Sequence, residues 1–503
     1  MIFRKFGIDR AIGYSSLAKI IQATGGVLTM FFIALSLSST EQGYYYTFSS
    51  LLAVQIFFDL GVNFTISQYV AHEFAFLQED IDGLLIGDKR YLSRLSSLLR
   101  LFSKWYLVAS LLLLIILLIT GYYFFEKNGV QTINWKLPWV LLIISTSLNL
   151  LISPYISFLE GLGKVKDIAL MRLVAQIIQI LVVWGVLLCD GKLFALGLSS
   201  LALFLVSLLF IWINSRNIFK QLTSVVINEK VAYKTEIFPF QWRIALSCIS
   251  GYLIFQIFNP VLFAFSGPIV AGQMGMTLTV LNGILALTMS WTSTKAPFWS
   301  VYISRKEYDL LNISFHNTLN NSILVCSVCL ILFSLFLSGL SFWDFSLSER
   351  FLPFNLILLL MITFLCNSII NVWATYLRCH KKEPFLLQAV IVGVLCCIST
   401  FLLGKYQGVD GIVIGYTVIT LIISFPLSYM IFEKNKKNQT FYKTPYGQML
   451  IGVNTRHLQV DFEEDKIAVQ IDYELDVNHE PMADCKIRMN IVSKDSGKFS
   501  VLS

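Results

Sequence analysis

The sequence predicts an all-α polytopic membrane protein, with twelve transmembrane helices in two six-helix halves and a short β-rich tail at the C-terminal end. Three observations carry that expectation. Twelve apolar stretches fill positions 8 to 432, each long enough to cross a hydrocarbon core of about 30 Å, which takes about 20 helical residues. Basic residues gather on one side of these stretches, and past residue 437 the apolar runs give way to alternating apolar and polar residues. The chain is 56% hydrophobic and 14% charged, where a soluble domain is about 25% charged, so no soluble core could absorb it.

The stretches can be justified in order. The first, 8 to 38, follows Arg4, Lys5 and Arg10 as a signal peptide would. It far exceeds an apolar core of about 7 to 15 residues and lacks a small-residue cleavage site, so it is expected to stay as the first helix. The second, 44 to 69, contains Asp59, and the third is 101 to 125. Ahead of the third, residues 88 to 104 place Leu92, Leu95, Leu98, Leu99 and Phe102 on one face and Arg90, Arg94, Arg100 and Lys104 elsewhere, the pattern of an interfacial helix. Stretches at 138 to 160, 168 to 189 and 193 to 214 complete a first half, 1–214, and a basic linker follows at 215–241. The second half, 242–437, holds stretches at 242 to 265, 268 to 297, 318 to 340, 351 to 378, 384 to 403 and 409 to 432. Pro154, Pro297 and Pro426 fall inside them and are expected to kink or break helices.

Charge fixes the expected orientation. Ahead of residue 440, and leaving aside Lys19 and Lys295, 24 basic residues lie on the side of the N-terminus and five, Lys127, Lys136, Lys192, Arg350 and Lys405, on the other. Basic loops remain cytoplasmic, so both ends of the bundle, with segments 70–100 and 215–241, are expected in the cytoplasm. Tyr44, Tyr45, Tyr46, Tyr122, Tyr123, Trp135 and Trp139 fall near the outer ends and suggest an aromatic belt there.

Several chemistries find little support. The outer connections are short, which argues against an enzyme whose site is built on extracytoplasmic loops. Cys326 and Cys329 have CxxC spacing inside an apolar helix without a second pair, His72-Glu73 lacks the second histidine of HExxH, and Asp80 and Asp82 read as a solvated loop. Gly161-Leu162-Gly163-Lys164 lacks the first glycine and the Ser or Thr of a Walker A loop. No cofactor, metal or nucleic-acid partner is expected.

Two segments look like copies of one another: Phe158-Leu159-Glu160-Gly161-Leu162-Gly163-Lys164 after the fourth stretch and Tyr376-Leu377-Arg378-Cys379-His380-Lys381-Lys382 after the tenth. Six stretches separate them, so the copies share one orientation, as expected for two halves enclosing a cavity near the midplane. These segments, with Tyr14-Ser15-Ser16-Leu17-Ala18-Lys19, Glu41-Gln42-Gly43-Tyr44-Tyr45-Tyr46, Gly272-Gln273-Met274-Gly275-Met276-Thr277, Lys295-Ala296-Pro297-Phe298 and Lys382-Glu383-Pro384-Phe385, resemble bacterial O-antigen and capsule repeat-unit flippases. The resemblance spans residues 1 to about 437. It implies a place in the superfamily of multidrug, oligosaccharidyl-lipid and polysaccharide exporters and in the bacterial inner membrane. It also implies transfer of undecaprenyl-pyrophosphate-linked oligosaccharides to the outer leaflet, alongside polysaccharide polymerase and chain-length machinery. A multidrug or lipid II exporter of the same superfamily, and a membrane polysaccharide polymerase, are the alternatives.

Charges within a bilayer are costly and mark candidate sites. Lys19 and Asp59 lie at matching depth on the first two stretches, as a pinning ion pair or a coupling pair. Lys295, Arg378, Arg172 and Arg243, all near cytoplasmic ends, are candidates for a cationic mouth that meets a pyrophosphate through charge-assisted hydrogen bonds, although Lys295 could equally snorkel to headgroups.

The tail, 438–503, is expected to hold strands at 466 to 477 and 486 to 492 with a turn at Asn478-His479-Glu480-Pro481. With Thr444-Pro445-Tyr446-Gly447 and Asp472-Tyr473-Glu474-Leu475-Asp476 it resembles the later half of small calycin-like bacterial β-barrels. Half a barrel leaves open edges, the mark of an appended fragment.

Overall fold

The computed structural model describes residues 10–80, 84–229, 231, 233–305, 307–343, 345, 347–380, 384–435, 438–444, 447–463, 466–477 and 480–492. Among them, nine helices are long and apolar enough to cross a membrane, or ten when one bent pair counts as a single span. The protein is a multi-pass bundle.

Helix α1 (Arg10–Ser36) leads into the bent pair, which the sequence presents as one stretch. It consists of α2 (Ser39–Leu52), one 3-10 turn, α3 (Ile56–Asp59) and α4 (Val62–Phe74), bent by 40° where Leu60 and Gly61 both take positive φ, 47° and 69°. Two consecutive left-handed residues end the hydrogen-bond ladder, and only the second is a glycine that adopts the conformation freely. A short hairpin, β1 (Leu77–Glu79) and β2 (Leu85–Gly87), follows, with Asp80 beside it and Asp82 outside the described residues.

Helix α5 (Lys89–Asn128) corrects the expectation of a separate interfacial helix. No Gly or Pro interrupts residues 89 to 120, so the amphipathic segment and the span form one 40-residue helix whose N-terminus Asp88 caps by accepting from the Arg90 N–H. Its leucine face meets protein rather than headgroups: Leu95, Leu98, Leu99 and Phe102 are buried. Ser96 Oγ donates to the Leu222 carbonyl at 2.6 Å, and Arg100 donates to the carbonyls of Thr223 and Val225, both at 2.7 Å. Helices α6 (Lys136–Gly161), α7 (Val165–Leu188) and α8 (Phe194–Ser224) complete the first six stretches.

Helix α9 (Phe238–Phe255) and α10 (Phe258–Ser266) form one stretch interrupted at Gln256 and Ile257. Helix α11 (Pro268–Ser304), α12 (Tyr308–Phe342) and α13 (Phe354–Cys379) follow, α11 running unbroken through Pro297 just as α6 runs through Pro154. Helix α14 (Leu386–Val418) is interrupted by Gly408 at φ 63° and ψ −137°, which falls between the last two apolar stretches. A π turn, Ile419–Ser424, then precedes α15 (Phe425–Asn435). Pro426 has no N–H to donate to the preceding turn, which is where such a wide turn relieves the ladder.

The aromatic belt is corrected as well. Tyr44, Tyr45, Tyr46, Trp135 and Trp139 are buried, whereas Tyr122 and Tyr123 are exposed. Tyr44 stacks on Phe125, Phe48 packs against Phe125 and Trp139, and Phe263 of α10 meets Tyr44 edge to face at 5.0 Å, so these rings cement the end of the bundle that carries few charges. At the basic end a second aromatic core joins Trp299, Phe315, Trp373, Tyr376 and Phe432.

The tail is an antiparallel meander in the order β3 (Asn438–Thr444), β4 (Gly447–Glu463), β5 (Lys466–Val477) and β6 (Glu480–Val492). The expected strand at 466 to 477 is β5; the second strand begins earlier than expected, at Glu480. Asn478 and His479 lie outside the described residues.

Candidate functional site

A cavity of about 1080 Å³ opens within the first six stretches, lined from α1, the bent pair, α6, α7 and α8. Three short stripes build its polar wall: Asp59, Asn63 and Ser67 on the bent pair, Ser153, Ser157 and Glu160 on α6, and Arg172, Gln176 and Gln179 on α7. The sets on α6 and α7 are spaced at i, i+4 and i+7, so that each shares one helix face, while the Leu60–Gly61 bend separates Asp59 from Asn63 and Ser67.

The stripes are bonded to one another. The Asn63 amide donates to Asp59 Oδ1 at 2.5 Å and to Ser153 Oγ at 2.6 Å, and its oxygen accepts from Ser157 Oγ at 2.9 Å. The Tyr106 hydroxyl, fully buried on α5, donates to the same Asp59 oxygen. Asn149 on α6 donates to the carbonyl and hydroxyl of Ser200 on α8, at 2.8 and 3.1 Å. Arg172 and Glu160 form an ion pair at 2.8 Å.

The expected site residues are distributed as follows. Asp59 lines the cavity, and so does Ala18, the neighbour of Lys19; the Lys19 side chain lies outside the described residues, and with it the expected pair. Arg172 is in the cavity but bound to Glu160. Lys295 on α11 and Arg378 on α13 are both exposed and flank one helix contact, in which Cys379 Sγ approaches the Ala296 carbonyl at 3.4 Å. Lys295 lies over the Phe298 ring, 5.8 Å from its centroid. Arg243 is exposed on α9 over Trp242, 5.6 Å from the ring, and its neighbour Ile244 faces Gly61 at the bend. The four cations therefore belong to two places, Arg172 inside the first half and the other three on helices of the second.

Sequence reasoning passed over Asn63, Tyr106, Ser153, Ser157, Gln176 and Gln179. The spacing i, i+4 and i+7 marks Ser153 and Ser157 with Glu160, and Gln176 and Gln179 with Arg172, but only the folded chain shows that these sets face one cavity, and Asn63 and Tyr106 carry no such mark. Among the described residues no group of three or more His, Cys, Asp and Glu could hold a metal ion.

Comparison with solved structures identifies the architecture. An inward-facing multidrug resistance MATE family transporter of the MOP superfamily aligns with TM-score 0.57 at 12% identity, over 84% of this chain and 95% of that one. The protein has the fold of these transporters. The lipid II flippase MurJ in an inward closed conformation aligns with TM-score 0.54 at 13% identity, over 84% and 89% of the two chains. A MATE transporter of Vibrio cholerae aligns with TM-score 0.53 at 13% identity, over 84% and 95%. No curated protein matches the sequence. A domain of unknown function (DUF1934) matches residues 426–489, which cover α15 and most of the tail sheet.

Proposed function

We propose that the protein is a flippase that moves undecaprenyl-pyrophosphate-linked oligosaccharide repeat units from the inner to the outer leaflet of a bacterial cytoplasmic membrane by alternating access. The observation that carries this reading is the composition of the cavity wall. Amides and hydroxyls make up six of the nine residues in its three polar stripes, beside Asp59, Glu160 and Arg172, and Phe64 is the one aromatic among its described lining residues. Sugar hydroxyls bond to such groups, and the scarcity of aromatic rings sets the wall apart from a typical pocket for drug-like molecules. The transporter fold supports the same reading.

In this reading the twelve stretches are twelve spans, six in each half: α1 and the Gly408 interruption supply the two beyond the ten described above. The halves are 1–214 and 242–437, joined by the linker 215–241, with the tail 438–503 appended. Both ends of the bundle are cytoplasmic. Arg172, Lys295, Arg378 and Arg243 meet the pyrophosphate, and Asp59 couples transport, with Lys19 as its partner. Polysaccharide polymerase and chain-length machinery take up the product.

The carboxylates of Asp59 and Glu160 favour a second reading, export of cationic drugs, and one experiment separates the two. In a strain deleted for the gene and complemented with the variants, Gln176→Ala and Gln179→Ala should leave protein abundance near wild type while lipid-linked repeat units accumulate in the inner leaflet and surface polymer falls by about tenfold, roughly 1.4 kcal/mol of lost binding. Normal surface polymer together with new sensitivity to cationic drugs would favour the exporter.

A further inference from the structure

At the sparsely charged end, α2 and α11 cross at backbone contact. A Cβ added at Gly43 would lie 1.9 Å from the Pro268 carbonyl oxygen, and one at Gly272 would lie 2.9 Å from the Gly43 nitrogen. Gln42 sits beside this crossing, 1% exposed, with its amide bonded entirely across the junction between the halves. Nε2 donates to the carbonyls of Gly272 at 3.0 Å and Arg350 at 3.2 Å, while Oε1 accepts from Arg350 Nη1 at 3.3 Å. Arg350 Nη2 also donates to the Ala34 carbonyl near the end of α1, at 3.3 Å. One side chain thus ties α2 to α11 and to the turn before α13, and the arginine of that turn ties it back to α1. Toward the basic end the same two lines of helix present exposed residues, Phe64, Gln68 and Ala71 on α4 and Trp291, Thr294 and Lys295 on α11.

We propose that Gln42 is the gate residue of the transport cycle: its amide latches the two halves shut at the sparsely charged end, and breaking those hydrogen bonds opens that end. The inference rests on the alternating-access reading and is independent of the cargo. Lipid offers helices no hydrophobic drive to associate, so close glycine packing and interhelical hydrogen bonds decide whether α2 and α11 stay together. The glycines make the approach possible but are symmetric in what they favour. The amide is directional, because its partners exist only while Gly272 and Arg350 are both in place. Arg350, one of five cations at that end, holds the latch rather than anchoring to headgroups.

The test uses the full chain without its native cysteines and two reporter cysteines in turn. Thr277→Cys lies on α11 just beyond the crossing, at a fully buried position. Thr294→Cys lies at an exposed position toward the basic end. An impermeant maleimide is applied from the sparsely charged side for the first reporter and from the basic side for the second. Gln42→Ala should speed labelling of the Thr277→Cys reporter by about tenfold or more and slow that of the Thr294→Cys reporter, as a population shift between two states requires. Gly43→Ala, which drives the helices apart, should change both rates in the same directions. Unchanged rates in Gln42→Ala overturn the proposal. Faster labelling at both reporters, the sign of a loosened bundle, overturns it too. Export of repeat units is scored separately, so a wrong cargo leaves the labelling result readable.

Discussion

Asp59, half-buried on the cavity wall, receives its described hydrogen bonds from neutral groups, the Tyr106 hydroxyl and the Asn63 amide. A half-buried carboxyl held by neutral donors depends on each of them, because an acceptor that loses its partner away from water is left without compensation. Tyr106→Phe should therefore destabilise the detergent-solubilised protein by about 1 to 3 kcal/mol, read as a lower midpoint of thermal unfolding. A midpoint equal to that of the wild type would show that Asp59 has another support. Lys19 is the proposed further partner. Exchanging the charges, Lys19→Asp with Asp59→Lys, should recover activity that either single change loses, because a lone buried charge costs about 3 to 5 kcal/mol. Asp59 and Arg172 were legible in the sequence because a charge in an apolar run stands out. Asn63, Gln176 and Gln179 were not, since amides and hydroxyls occur throughout the chain and only the assembled cavity shows which of them share a face.

Helix positions were largely legible for a similar reason: the bilayer demands long apolar runs, and the expected stretch at 138 to 160 is α6 to within two residues. The interruptions were not. An apolar run carries no record of backbone dihedrals, so the Leu60–Gly61 bend and the Gln256–Ile257 break passed as continuous helix. Only Gly61 hinted at the first of them, and glycine is common enough in membrane helices that it decides nothing alone. The bend is nonetheless specific, because a Cβ at Gly61 would lie 2.3 Å from Ile244 Cγ2 in addition to taking φ 69°. Gly61→Ala should cost about 1 to 2 kcal/mol from the dihedral alone, and more from the contact. Gly26 is the control: nothing lies within 4 Å of its added Cβ and it sits inside α1, where alanine is the better helix former. Thermal unfolding of the two variants should separate in opposite directions, and equal midpoints would remove the structural significance of the bend.

At the scale of the whole molecule, the distribution of charge that made the fold legible also sets the proposed orientation. The 24 and five basic residues of the two sides place Asn128, at the end of α5, on one face and Ser224, at the end of α8, on the other. The orientation follows from the rule that basic loops are not translocated. A cysteine at Asn128 should react with an impermeant thiol reagent in intact cells, and one at Ser224 should react only after permeabilisation. The tail extends this test. β3 begins at Asn438, three residues after α15 ends at Asn435, so the sheet must lie on the face where α15 ends, which in the proposed twelve-span arrangement is the face of Ser224. A three-residue step spans at most about 11 Å and cannot recross a core of about 30 Å. Cys485, on β6, then serves as a native reporter: with the other cysteines replaced, it should follow the Ser224 pattern and not that of Asn128. Reaction of Cys485 in intact cells while a cysteine at Ser224 stays protected would place the sheet on the opposite face from Ser224, and with it the end of α15, which would require an odd number of crossings between them and remove the pairing of six spans with six.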